Sequence, residues 1–424
     1  MSPRSLKNKF LCCAALALVY FGFAFLLAAA EKPSVYVWQR AWTPEVCEAI
    51  QQLAGEFTKL IALKTEIGWK GSSPTVVHVP VQYDCLRSNR CAVGLALRIG
   101  AFSGSFTKTN ESTQLILREI SMLLADAKSN HLDVAELQID FDCAESKLSG
   151  YRLWVEAIRA RFPEVPLSIT ALPTWLNHAD FNALAHAAGA YVLQVHSFER
   201  PKNFDTPFTL CDPAKARAAV QKASAIGVPF QVALPTYSYT VAFSAKGTFV
   251  GLSAEGRPQS WPADVKTKEV RANAQELTGL LQEWIWNPPM NFHGVIWYRL
   301  PVPGDRLNWK WETLNAVMHG RTPKAQLDVT IKKPEPQLVE IRLRNSGNDD
   351  ASVPLAIDLR WKKSRLIASD ALRDFDLIDS TSERAQFRRR QFLPPLILKP
   401  GDECFVGWLR FTQETEVQCE LISK

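Results

Sequence analysis

The chain has 424 residues, of which 47% are hydrophobic and 22% are charged, and its formal net charge is +6. A chain of this length is too long to fold around one ordinary hydrophobic core. It fits a barrel of about 250 residues followed by a domain of roughly 100, so we predict two domains. Three of the positive charges precede residue 10, which leaves about +3 over the rest of the chain and gives no reason to expect a nucleic-acid partner.

Residues 1–30 combine a basic start with a long apolar run. Arg4, Lys7 and Lys9 precede an apolar stretch over 10–27, and residues 28–30 are small, as at a signal-peptidase site. We therefore expect the rest of the chain to be exported to the periplasm or outside the cell. The run is longer than a usual signal core and close to a bilayer span, so an uncleaved inner-membrane anchor at residues 10–30 is the alternative, and the only membrane contact predicted.

Eight apolar, strand-like runs alternate with helix-like segments over most of the chain, at residues 34–40, 60–67, 93–100, 136–142, 166–173, 190–198, 229–236 and 293–300. Most gaps carry helix start and stop signals, such as Thr43–Pro44 before one helix and Gly189 after another. This alternation favours a parallel sheet, and eight repeats predict an α/β fold closed into a (β/α)8 TIM-type barrel over residues 31–320. Residues 74–82 predict an extra strand or hairpin.

The pattern changes after Gly320. Beyond a linker at 321–326, residues 327–424 alternate apolar with polar positions and contain no long helical segment. We predict a small C-terminal antiparallel β-sandwich of immunoglobulin-like type. Because it has few aromatic residues that could stack on a sugar, we expect an accessory domain that packs on the outer wall or base of the barrel, away from the cleft.

The fourth predicted strand carries the clearest functional signal. Gln138, Asp140 and Asp142 alternate with apolar residues, so the two aspartates share one face of the strand. Each carboxylate raises the cost of ionising the other, and enzymes that need an acid and a base use this coupling. Active sites of such barrels lie where the strands end, so the motif predicts a site there.

Other strands end in charged or aromatic residues that we predict to face the same opening, namely Trp38, Arg40, Glu66, Arg98, Trp175, His196, Tyr237, Trp297 and Arg299. Aromatic rings beside charged groups are typical of a carbohydrate cleft, so these residues are candidates for substrate binding. Structural roles are the alternative. Arg98 and Asp140 could form an ion pair that only orders the barrel, His196 could be a hydrogen-bonded core residue, and the tryptophans could be ordinary packing.

Seven of the nine cysteines follow residue 30. Cys85 with Cys91, and Cys404 with Cys419, are close enough in sequence to predict local disulfides in an oxidising compartment, and buried free thiols are the equal alternative. Cys143 follows the aspartate motif without a nearby histidine, so we assign it to packing. No cysteine and histidine spacing resembles a zinc site, and we expect no metal and no cofactor.

The chain resembles a bacterial family of exported barrel proteins that carries only a domain-of-unknown-function label. The residues that carry the resemblance are Leu137–Glu145, a helix over Tyr151–Phe162, and Pro166–Trp175. The likeness spans roughly residues 34–300 and implies the barrel fold but no activity.

More distantly, the fourth-strand motif and Trp297 are similar to family 18 glycoside hydrolases, the chitinases and their relatives. In that resemblance Asp140 and Asp142 match the two inner aspartates of the family's signature, and Trp297 matches its sugar-stacking tryptophan. The catalytic glutamate of the family would stand at Ala144, and this chain has Glu145 one position later.

These observations predict a glycoside hydrolase-like protein that acts on a cell-envelope or extracellular polysaccharide. Glu145 or Asp142 is the candidate general acid, and Asp140 supports it. A pairing of Asp142 with Glu66 across the barrel is the second choice. The alternative function is a non-catalytic polysaccharide-binding or envelope-assembly barrel that has lost the acid. The sequence specifies neither the sugar, the linkage nor the oligomeric state.

Overall fold

The structure is a computed structural model that describes residues 32–422 except 72, 89, 197–200, 255–259 and 391–395. The predicted signal peptide or anchor lies outside the described residues. Within the described ranges, no helix is long and apolar enough to cross a bilayer.

The described part of the first domain contains twelve strands: β1 (Ser34–Val37), β2 (Lys59–Lys70), β3 (Ser73–His78), β4 (Ala92–Ile99), β5 (Val134–Phe141), β6 (Leu167–Ala171), β7 (Tyr191–Gln194), β8 (Phe230–Pro235), β9 (Ser238–Phe243), β10 (Phe249–Ser253), β11 (Lys266–Arg271) and β12 (Phe292–Tyr298). Eight of them, β1, β2, β4 to β8 and β12, pair in parallel, and β1 pairs with both β12 and β2. The sheet is therefore a closed barrel, which confirms the predicted fold class and all eight strands.

Helices follow the barrel strands on the outside: α1 (Pro44–Leu53), α2 (Tyr83–Arg87), α3 (Glu111–Ser129), α4 (Leu148–Arg161), α5 (Ala179–Ala188), α6 (Pro213–Ser224), α7 (Ala274–Trp286) and α8 (Trp311–Met318). The side chains of Asn110, Asp212 and Asn273 accept backbone N–H groups in the first turns of α3, α6 and α7. These caps satisfy donors that a helix leaves unpaired at its start. Gly189 ends α5 with a left-handed φ of 84°, a conformation that glycine adopts without strain.

A polar network fills the inside of the barrel below the site. The Tyr36 hydroxyl donates to Oε1 of Gln138 at 2.7 Å, and Nε2 of Gln138 donates to the Ser168 hydroxyl at 3.1 Å. Gln138 is fully buried. Because these partners satisfy its amide, the network closes the barrel floor and fixes β5, the strand that carries the two aspartates.

We call the end of the barrel at which the parallel strands finish the mouth. Two further β elements extend the barrel there. The predicted hairpin is present, since β3 pairs antiparallel with β2. Between β8 and α7 the chain forms a three-stranded antiparallel sheet in the order β10-β9-β11. The segment from β8 to β9 contains Tyr237 and Tyr239, so this sheet supports one wall of the mouth.

The C-terminal domain is a sandwich of antiparallel sheets with its own apolar core. One sheet has the order β13-β14-β21-β17, another has β18-β19-β16-β22, and β15 pairs with β20. The strands are β13 (Leu327–Glu335), β14 (Leu338–Asn345), β15 (Ala351–Ser352), β16 (Ala356–Trp361), β17 (Leu366–Ala371), β18 (Phe375–Ser380), β19 (Arg384–Arg389), β20 (Ile397–Leu398), β21 (Glu403–Phe411) and β22 (Val417–Ile422).

The sandwich contacts the mouth end of the barrel. The buried ammonium group of Lys399 donates to the carbonyl oxygens of Arg306 and Asn308, in the loop after β12. Arg271, at the end of β11, forms an ion pair with Asp350. The contact is at the mouth end of the barrel and not at its base, which differs from part of our expectation, because Lys399 of the sandwich meets backbone carbonyl groups of the loop after β12.

The disulfide pairing also differs from the sequence prediction. Cys85 pairs with Cys47, 38 residues earlier in the chain, with 5.4 Å between their Cα atoms. The bond joins α1 to α2, two helices that only the fold brings together. Cys91, Cys404 and Cys419 are free thiols, and Cys143 is a buried free thiol, as its packing role predicts.

Candidate functional site

A pocket of about 670 Å³ opens at the mouth of the barrel. Its lining comes from seven barrel strands and the segments after them: Tyr36, Trp38, Arg98, Asp140, Asp142, Thr170, Leu172, Pro173, Thr174, Gln194, His196, Lys215, Ala233, Tyr237, Tyr239 and Tyr298. The pocket therefore combines two carboxylates, two cations and five aromatic rings.

Asp140 is held at the pocket floor. The Thr170 hydroxyl donates to its Oδ1 at 2.8 Å, and Nε of Arg98 lies 3.6 Å from its Oδ2. Burial raises the pKa of Asp140, while Arg98 and the hydrogen bond from Thr170 oppose that rise. Adjacent strands produce the pairing, since Arg98 on β4 is in register with Asp140 on β5. The predicted ion pair is thus present, and it lies inside the pocket.

Asp142 lies one step nearer the opening. The pKa of Asp142 is raised to about 7, mainly because the pocket walls remove water from its carboxyl and secondly because the charge of Asp140 is nearby. Arg98 and Gln194 act in the opposite direction. Nε2 of Gln194 lies 3.5 Å from its Oδ1. The carboxyl is accessible, so water that enters the pocket screens part of this effect. Asp142 is therefore easier to protonate than a free carboxyl, and a ligand can reach its proton.

Aromatic side chains form the opposite wall. Tyr298 packs against Tyr36 and Trp38 with ring centroids 5.7 Å apart in each pair. Tyr36 and Trp38 are almost fully buried, whereas Tyr239 and Tyr298 are half-buried. The last two rings therefore present apolar surface to the pocket, which is the kind of surface that the face of a sugar contacts.

His196 is neutral at the back of the pocket. Burial lowers its pKa to about 4, and its ring stacks on Tyr298 with the centroids 5.7 Å apart. The Tyr237 hydroxyl donates to the Tyr239 hydroxyl at 3.3 Å, and it lies 3.1 Å from Nδ1 of His196. In the tautomer that matches this arrangement, Nδ1–H of His196 donates a hydrogen bond to the Tyr237 hydroxyl and Nε2 is an acceptor.

Glu145, a predicted candidate acid, does not line the pocket. It begins a short 3-10 turn, Glu145–Lys147, and its Oε2 lies 3.4 Å from Nε2 of His178. Both side chains are 44% exposed. Cys143 between Asp142 and this turn is buried, and Glu145 contacts His178 outside the pocket lining.

Arg40 and Glu66 also lie at the rim and not among the lining residues. Nε of Arg40 donates to Oε1 of Glu66 at 2.6 Å, so each neutralises the other. Glu66 is close enough for its charge to raise the pKa of Asp140, but it forms no pair with Asp142 across the barrel. The pairing of Glu66 with Asp142 is therefore not present.

Three other predicted site residues are buried elsewhere. Trp175 packs against Tyr151 and Phe181 beneath the helices. Trp297 is fully buried against Trp309, because alternation along β12 turns Tyr298 and not Trp297 toward the pocket. Arg299 follows β12 and forms an ion pair with Asp305.

The structure thus brings together Trp38, Arg98, Asp140, Asp142, His196 and Tyr237 of the predicted residues. It adds Tyr36, Tyr239, Tyr298 and Lys215. Period-two alternation, counted back from Trp38 on β1, could have found Tyr36. Lys215 lies in the first turn of α6, and no sequence signal separates it from an exposed helix lysine.

Within the described residues, no group of three or more histidine, cysteine or acidic side chains could hold a metal ion. The side chains that line the pocket can take part in proton transfer, hydrogen bonding and ring stacking.

Fold and pocket together define a barrel protein with an acid-containing cleft, and comparison with family models agrees with the predicted resemblance. Residues 96–303 match a domain of unknown function, DUF3142, and residues 329–412 match a second domain of unknown function, DUF8456. The sandwich therefore has a family model of its own. No curated protein matches the chain.

Solved structures with similar folds include chitinases. The Bacillus cereus spore cortex-lytic enzyme SleL has 13% identity and a TM-score of 0.47, with 69% of this chain and 75% of that chain covered. A chitinase from Chromobacterium violaceum has the same identity and TM-score, with 69% and 98% covered. The GH18 chitinase ChiB from Flavobacterium johnsoniae has 11% identity and a TM-score of 0.44, with 68% and 93% covered. At these similarities, function has to be inferred from the pocket itself.

Proposed function

We propose that the protein is a glycoside hydrolase-type enzyme that acts on a polysaccharide, with Asp142 as the proton donor. The observation that carries this proposal is an accessible carboxyl with a pKa of about 7 inside an aromatic pocket. Near neutral pH such a group is partly protonated, so it can deliver a proton to the oxygen that leaves when a glycosidic bond breaks.

The neighbours of Asp142 have supporting roles in this proposal. Asp140, held by Arg98 and Thr170, keeps negative charge beside Asp142 and so favours its protonated form. Arg98 and Gln194 offer donors for sugar hydroxyl groups. Tyr239 and Tyr298 offer rings to the apolar face of the sugar.

The nucleophile is not supplied by a second free carboxylate. Among the described residues that line the pocket, Asp140 and Asp142 are the only carboxylates, and Asp140 is already bound to Arg98 and Thr170. Most glycosidases flank the bond with two carboxylates, although some use a group of the substrate. Attack on the anomeric carbon therefore comes from water or from the substrate in our proposal.

We further propose that the substrate is a cell-envelope or extracellular polysaccharide. The basic and apolar start of the sequence supports export. The Cys47–Cys85 disulfide supports it independently, because such bonds persist in oxidising compartments.

One observation favours a non-catalytic, polysaccharide-binding function instead. Glu145, the residue nearest in sequence to the acid position of family 18 hydrolases, pairs with His178 outside the pocket. If Asp142 does not transfer a proton, the pocket still has the hydrogen-bonding and aromatic groups that bind a sugar.

A panel of polysaccharides distinguishes these functions. The purified full chain is tested for binding and for release of reducing ends, beside Asp142→Asn. We expect release by the wild type and binding without release by the variant. Binding without release by both proteins would favour the binding function. The absence of binding to every polymer would contradict both.

A further inference from the structure

The end of α7 and the loop that joins it to β12, which we together call the exposed loop, expose an unusual amount of apolar surface. Trp286 is 76% exposed and Met290 is 74% exposed, the two highest values for large apolar side chains among the described residues. Ile285 beside them is 45% exposed. Single exposed apolar residues are common on soluble proteins, but an exposed tryptophan grouped with two others indicates a contact surface.

This loop lies at the amino ends of the barrel strands, which we call the base, opposite the pocket. It leads directly into β12, and the carbonyl oxygen of Asn291 accepts the backbone N–H of Phe230 at the start of β8. The chain also enters the barrel at the base, since β1 begins at Ser34 and pairs in parallel with β12. The exposed loop and the start of the described chain therefore lie at the same end of one strand pair.

The sequence before β1 indicates which partner the base of the barrel contacts. The apolar run over residues 10–27 ends seven residues before Ser34. A fully extended chain spans at most about 3.6 Å per residue, so seven residues reach at most about 25 Å. If that run is in a membrane, the base lies beside the bilayer surface.

We propose that the base docks on a lipid bilayer, with Trp286 and Met290 inserted among the headgroups. Tryptophan is enriched at this depth, because its ring is apolar and its N–H finds polar partners there. Arg217 on α6 and Glu283 on α7 neutralise each other through hydrogen bonds of 2.6 Å. In our proposal the apolar side chains, and not lipid charge, drive docking. This orientation directs the pocket away from the membrane.

The test compares two methionines in the same molecule. The full chain is reconstituted into phosphatidylcholine vesicles, and methionine oxidation is followed by mass spectrometry. Met122 on α3 is the internal control, because it is 54% exposed and α3, between β4 and β5, lies across the closed sheet from α7, between β8 and β12. Although Met290 is the more exposed, we expect it to oxidise several-fold more slowly than Met122. Vesicles with anionic lipid should give the same ratio.

Two variants check the cause. Trp286→Ser should bring the oxidation rate of Met290 closer to that of Met122, and it should remove the fluorescence quenching caused by brominated acyl chains. Ile367→Ser, at a 58% exposed position on the sandwich, should change neither measurement. Equal oxidation of the two methionines in wild-type vesicles would overturn the proposal. Protection that follows protein concentration and not lipid would indicate a second copy of the chain, and it would overturn the proposal too.

Discussion

The floor of the pocket and its rim contain the same kinds of groups in different surroundings. At the floor, Asp140 pairs with Arg98 and has only 10% of its side chain exposed. At the rim, Glu145 pairs with His178, and both side chains are 44% exposed. Water screens the rim pair and weakens the attraction between its members. At the floor, lost hydration couples each charge to its neighbours and raises the pKa of Asp142.

This comparison shows why an acidic residue near the expected position is a weak indication of an acid catalyst. A general acid needs a pKa near the working pH and a position from which it reaches the substrate. Asp142 has a raised pKa and lines the pocket, as our proposal requires, whereas Glu145 lies outside the pocket lining in the turn that follows Cys143.

The largest expected effect is loss of turnover in Asp142→Asn. The substitution removes the transferable proton from a side chain of nearly equal size, so we expect at least about a 100-fold decrease in reducing-end release. Sugar affinity should change little, because Asn still forms hydrogen bonds. Release and binding are measured together, and the thermal midpoint serves as the folding control. Unchanged release would exclude Asp142 as the acid.

Much of the fold could be predicted because parallel barrel strands are buried on both faces. Their sequences are therefore nearly continuous apolar runs, and the polar residues that interrupt β5 are conspicuous. The aspartate pair and Arg98 were predictable for this reason. The Cys47–Cys85 bond was not, because its two helices meet only in the folded barrel.

Which residues of β12 face the pocket could not be predicted, because the answer changes when the alternation along the strand is shifted by one residue. Trp297, Tyr298 and Arg299 are consecutive at the end of β12, and shifting the pattern by one residue exchanges the two faces of a strand. The sequence offered no means of choosing among them. Packing against Trp309 fixes Trp297 outside the barrel, and Tyr298 then faces His196.

A smaller effect is expected when the contact between sandwich and mouth is broken. Lys399→Met keeps the length of the side chain but leaves the carbonyl oxygens of Arg306 and Asn308 without this donor. We expect a loss of about 1–3 kcal/mol in the free energy of unfolding. The loop also pairs with the backbone at Tyr237, so oligosaccharide affinity should fall.

Lys310→Met is the matched control for this variant. Lys310 also joins the loop to the sandwich, but its Nζ lies 3.4 Å from Asp402 at a more exposed position. Its loss should change both quantities much less. Similar effects of the two substitutions would show that burial of Lys399 is unimportant.

The raised pKa of Asp142 also predicts how stability depends on pH. The folded state holds the proton more tightly than the unfolded state, whose pKa is near 3.8. The resulting stabilisation is complete below that value and is lost as the pH rises through about 7. Asp142→Asn should therefore gain stability relative to the wild type between pH 4 and pH 8. Denaturant unfolding at both pH values measures this difference, and the opposite trend would mean that the pocket favours the ionised carboxylate.

The smallest effect is expected for Glu145→Gln at the rim. The substitution removes only an exposed ion pair with His178, and such pairs contribute roughly 0–1 kcal/mol. Reducing-end release should stay within about twofold of the wild type, because Glu145 is outside the pocket and transfers no proton in our proposal. Release and denaturant unfolding are measured beside Asp142→Asn. If Glu145→Gln abolished release while Asp142→Asn did not, the rim turn would have to rearrange when substrate binds, and the acid would be Glu145.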